Sequence, residues 1–125
     1  MATYTELADL LKPIGLPIQL PGAPDTALPN ITLEPTGISM LPGVRVGWET
    51  ANISIRYPLS QNNANQFDKL NENTYRVLQI LMGTEYLIDA NVPLFGDSDL
   101  NPPSFHYQIS VTFPGAHDVC GSGST

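Results

Sequence analysis

The nine residues from Phe105 to Phe113, Phe-His-Tyr-Gln-Ile-Ser-Val-Thr-Phe, alternate without interruption between apolar or aromatic odd positions and polar, uncharged even ones. A period of two puts Phe105, Tyr107, Ile109, Val111 and Phe113 on one face of a strand and His106, Gln108, Ser110 and Thr112 on the other. Such a strand belongs to a sheet with one packed face. Something apolar has to cover that face, and the sequence supplies a cover from about Gln66 to Met82. Phe67, Leu70, Thr74, Val77, Leu78 and Leu81 recur there at steps of three and four, with Asp68, Lys69, Glu72 and Arg76 on the other sides. Asn63 and Gln66 have capping spacing, and Gly83 is placed to end the helix. A charge at Leu78 is expected to unfold it.

A short helix from about Thr5 to Lys12 opens the chain. Thr3 and Glu6 have the spacing of a capping box, Tyr4, Leu7, Ala8 and Leu11 share a side, and Pro13 limits its length. Between Pro13 and Gly43 lie seven prolines and four glycines, which restricts regular structure to short pieces. Pro17 to Leu20 fits a brief edge strand, and Asn30 to Glu34 a better one that Pro35 ends.

Val44, Val46 and Trp48 are apolar at even positions, whereas Ile53, Ile55, Tyr57 and Leu59 are apolar at odd ones. One continuous strand cannot keep both sets on one face. A bulge or turn near Glu49 to Ala51, after a loop-like excursion from Thr36 to Glu49, would resolve the conflict and leave a core strand from Ala51 to Tyr57. A further strand is expected around Tyr86 to Ile88, turns from Pro93 to Ser104, and a strand end at Pro114. The expected fold is α+β: an antiparallel sheet of about four strands packed on one long helix, with a short N-terminal helix and a projecting loop or hairpin. Residues 1–115 form a single domain in this reading, and 116–125 a flexible C-terminal tail.

Charged residues make up only 14% of the 125, and the net charge is -7. Lys12, Arg45, Arg56, Lys69 and Arg76 are scattered singly, which disfavours specific nucleic-acid binding, because phosphate neutralisation needs clustered cations. An exterior so poor in charge suits a subunit covered by neighbours. The first residues lack the pattern of a secretory signal and no apolar run approaches the ~20 residues of a membrane span, so a soluble protein made in the cytoplasm is expected.

No catalytic or cofactor-binding constellation emerges. Cys120 is the only cysteine, so an intrachain disulfide and a Cys-based zinc site are excluded. His106 and His117 are too isolated for a metal site, Asp97 and Asp99 lack the calcium-loop pattern, and Ser39, Ser54 and Ser110 belong to no nucleophile elbow. What remains is an apolar cluster, Ile38, Met40 and Leu41, followed by Arg45 and Trp48. Two roles are open to it: folding back as a satellite core, or projecting to dock on another subunit.

The order of these pieces resembles tail terminator proteins of long-tailed bacteriophages. The likeness rests on the N-terminal helix, the lead-in Gly22-Ala23-Pro24-Asp25-Thr26-Ala27-Leu28-Pro29 into Asn30-Ile31-Thr32-Leu33, an insertion loop, Ile53-Ser54-Ile55-Arg56-Tyr57, the long helix and the closing strand, covering about Thr3 to Gly115. It implies a non-enzymatic virion protein, needing no cofactor or metal, that forms a homo-oligomeric, hexameric ring on the tail tube protein. That ring would end tube growth and join the neck or head-completion protein at the tail/neck junction. Thr36 to Glu49 would carry ring and tube contacts. Acidic residues, with Glu34, Glu49, Asp97 and Asp99 as candidates, would face a lumen through which DNA slides without binding. The low charge and twelve prolines depart from a generic member. Rival expectations are another neck or tail-tube protein, such as a head-completion stopper, and a small ligand-binding domain or hydrolase with the apolar loop as a lid.

Overall fold

The computed structural model describes residues 3–24, 27–40, 46–58, 63–97 and 103–118. The chain is α+β, as its periodicities require. Its elements are helix α1 (Tyr4–Leu11), a 3-10 turn (Lys12–Ile14), strands β1 (Ile18–Gln19), β2 (Asn30–Ser39) and β3 (Val46–Pro58), helix α2 (Asn63–Met82), and strands β4 (Leu87–Ile88), β5 (Leu94–Asp97) and β6 (Ser104–Asp118). The sheet has six strands and is mixed, a correction to the four antiparallel strands expected. Strands β2, β3 and β6 lie side by side and antiparallel, β1 adds to β2 in parallel, and β4 and β5 both pair with the far side of β6. Strands β1 and β4 fall within the stretches expected at Pro17 to Leu20 and Tyr86 to Ile88, whereas β5, four residues long and containing Gly96, is too short to display a period.

Register places the core. Leu33, Ile53 and Ile109 sit in one row across β2, β3 and β6, and Ile31, Ile55 and Tyr107 in the next. Seven of the fully enclosed side chains, Ile31, Ile53, Ile55, Ile109, Leu70, Val77 and Leu81, join this face to α2, and Leu7 and Leu11 of α1 complete the cluster. Burying each is worth ~1.5–3 kcal/mol. Aromatic contacts close both ends. The ring of Phe67 on α2 stacks on Phe105 at 5.8 Å, and Phe113 lies between Tyr86, stacked at 5.2 Å, and Tyr4, edge-on at 5.7 Å.

Local chemistry explains where the helices begin and end. The Thr3 hydroxyl accepts from the Glu6 amide at 3.2 Å, as the capping spacing required. Helix α2 starts at Asn63, three residues before the expected Gln66. Thr74, on its apolar face, satisfies its hydroxyl by donating to the Leu70 carbonyl at 2.8 Å. Leu78 is only half-buried, so the strongest effect of a charge moves to Leu70, Val77 or Leu81. Gly83 is not in the left-handed conformation expected of a C-terminal cap. The helix instead tightens through Gly83 N–H to Ile80 O and Thr84 N–H to Leu81 O, with the Thr84 hydroxyl also on Leu81 O.

The lead-in to β2 depends on a turn over Leu20 to Ala23. The Ala23 amide donates to Leu20 O at 3.0 Å and Gly22 has φ 78°, the type II pattern with proline first and glycine second. Arg76 ties α2 to this N-terminal segment by donating to Pro13 O at 2.9 Å. The single ion pair among the described residues, Lys12 with Asp9 at 3.0 Å, is exposed and contributes little.

Three further expectations are corrected. Strand β6 does not stop at Pro114 but continues to Asp118, so the expected tail from 116 begins in strand; residues 119–125 lie outside the described residues. Residues 94–97, expected to be turn, form β5. The excursion from Thr36 is not a loop at its base, because Thr36 to Ser39 continue β2 and Val46 to Thr50 open β3. No bulge interrupts β3 at Glu49 to Ala51. Trp48 lies on the face opposite to Ile53, Ile55 and Tyr57, Val44 and Leu59 lie outside the described residues, and the register instead shifts in β2 between Pro35 and Gly37 and in the β3–β6 pairing between Val46 and Trp48.

Candidate functional site

The feature that the core does not absorb is the ribbon made by the ends of β2 and β3. Up to Pro35, β2 follows strict alternation, with Ile31 and Leu33 inward. The shift at Thr36 then re-aims the strand: Gly37 opposes Thr50, Ile38 opposes Glu49 and Ser39 opposes Trp48. Thr36 and Thr50 hold the bulge through a hydroxyl pair at 2.8 Å, and Thr50 also donates to Gly37 O at 3.2 Å.

Because Glu49 also opposes Phe113, Ile38 belongs to the helix-covered face of the sheet. The helices, however, do not reach it. Tyr4 and Tyr86 cover Phe113, Glu49 is half-buried beside them, and Ile38, one strand further out, is 68% exposed. Met40, which follows β2, is 57% exposed. Burial pushes the Tyr4 hydroxyl above its ordinary pKa, and the Glu49 carboxylate adds to that shift. The ribbon base is also tightly fitted. A Cβ on Gly115 would come within 2.7 Å of Glu49 Oε2 and 3.1 Å of Gly47 O, so a side chain there must displace the Glu49 carboxylate and crowd the Gly47 carbonyl.

Of the residues singled out in the sequence, Ile38, Met40 and Trp48 gather at this ribbon. Trp48 is half-buried, opposed by Ser39 on β2 and Pro114 on β6. Leu41, Arg45 and Asp99 lie outside the described residues, and Asp97 pairs with Ser104 at the end of β5, its side chain likewise outside them. The acidic candidates are not brought to one surface. Glu34 opposes Asn52 on the open face of the sheet, whereas Glu49 lies on the helix side.

That open face is polar throughout its centre. Thr32, Ser54 and Gln108 share one row, and Glu34, Asn52 and Ser110 another, with the Ser110 hydroxyl donating to Asn52 Oδ1 at 3.0 Å. Arg56 donates to Ser104 Oγ at 3.4 Å, and its buried Nε makes no hydrogen bond.

The opposite edge of the sheet holds residues that sequence reasoning missed. Leu87 on β4 and Leu94 and Phe95 on β5 are large, apolar and exposed, and the Phe95 ring stacks on His106 at 5.3 Å. The adjacent Leu-Phe pair between Pro93 and Gly96 was the available signal. Between this edge and α2 runs a shallow groove of about 340 Å³ lined by Thr74, Tyr75, Leu78, Val92 and Tyr107 among others. It brings no acid and base together, and no cluster of His, Cys, Asp or Glu able to hold a metal occurs among the described residues. No helix among those residues is long and apolar enough to cross a membrane. No family model matches the sequence, and no curated protein matches it significantly.

Proposed function

We propose that this chain is a structural virion protein of the tail-terminator type. In this reading it closes into a ring on the last ring of a phage tail tube, ends tube growth, and presents the surface that joins the neck or head-completion protein. The observation that carries it is the ribbon, which leaves Ile38 and Met40 in solvent beyond the reach of both helices. Exposed apolar residues grouped on a projection are the mark of a surface meant for a protein partner. The order of elements that resembles tail terminators adds to this, as does an exterior with little charge. The scattered cations suit a lumen through which DNA moves without being held. No catalytic role is assigned to any side chain, and the proposed partners are sister copies, the tube and the neck.

A cryo-electron-microscopic map of the particle that carries the chain tests this directly. A ring between tube and neck is the expected position. A copy elsewhere in the neck would make it a stopper-type protein instead. A strict monomer with turnover traceable to the groove beside α2 would overturn the structural reading altogether.

A further inference from the structure

We draw no further inference here: the strongest candidate, the groove of about 460 Å³ on the open face of the sheet lined by Thr36, Thr50, Asn52, Asp89, Ser110 and Thr112 among others, carries nothing, because Thr36 with Thr50 and Ser110 with Asn52 already bond to each other and nothing in the structure shows what covers it.

Discussion

Strands β2 and β3 run through two different environments. From Asn30 to Pro35 and from Ala51 to Tyr57 they lie under the helices, and Ile31, Ile53 and Ile55 are fully enclosed. From Thr36 to Ser39 and from Val46 to Thr50 the same strands stay paired, yet Ile38 stands in solvent. A backbone ladder satisfies its own amides and carbonyls wherever it runs. Whether a side chain is core or contact surface depends on what lies above it. An isoleucine is therefore part of the core at position 53 and of the solvent-exposed surface at position 38.

The strongest way to break this comparison is a cavity at the covered end. Ile53→Ala, between Leu33 and Ile109 in the row across the sheet, is expected to lose ~2–5 kcal/mol in urea unfolding. A loss under 1 kcal/mol would mean that the covered end is loosely packed. The junction between the ends responds next. Gly115→Val forces a side chain against Glu49 and the Gly47 carbonyl and should cost ~1–3 kcal/mol. Hydrogen exchange should rise at residues 46–50 while Ile53 and Ile109 stay protected.

Alkali sharpens the contrast from the same side. Tyr57 and Tyr86 have hydroxyl pKa values raised chiefly by burial; for Tyr57 the Asn73 amide bonded to its oxygen works in the opposite direction and Glu72 with burial, while Glu6 and Glu85 add to the rise at Tyr86. A raised pKa in the folded state means that its stabilisation is complete below the unfolded value, near 10, and is lost as pH rises through the folded one. Thermal melts should hold steady at neutral to mildly alkaline pH and fall above about pH 10, more steeply than in a Tyr57→Phe, Tyr86→Phe variant. Equal slopes would remove burial of these rings as the cause.

The smallest effect on stability belongs to the ribbon. Ile38→Ser with Met40→Ser should change the unfolding free energy by no more than about 0.5 kcal/mol, as for exposed sites generally, while abolishing assembly seen by light scattering. A collapse of the circular dichroism melt would return these residues to the core.

Much of the covered end was legible because periodicity records burial. The nine alternating residues of β6 and the three-and-four spacing of α2 were written by one-sided packing, and Leu7, Ala8 and Leu11 likewise declared the inner side of α1. Strand β5 was hidden by its length and by Gly96, and the ribbon by Pro35 and Gly37, which resemble loop chemistry. The acidic candidates Glu34 and Glu49 looked equivalent in the sequence. The alternation of β3, in which Glu34 opposes Asn52 and Glu49 stands three residues before Asn52, places them on opposite faces.

By itself the sequence determined the α+β class, the long helix, the packed face of the last strand, and the capped start of the first helix. These are local properties, set by side-chain period and by hydrogen bonds a few residues apart. Tertiary structure alone decided that the sheet is mixed, that Thr36 to Ser39 continue a strand, and that Ile38 and Leu87 mark opposite edges of one sheet. The reason is physical. An apolar side chain carries the same free-energy preference for burial wherever it occurs, and only the arrangement of distant elements around it determines whether that preference is met within this chain.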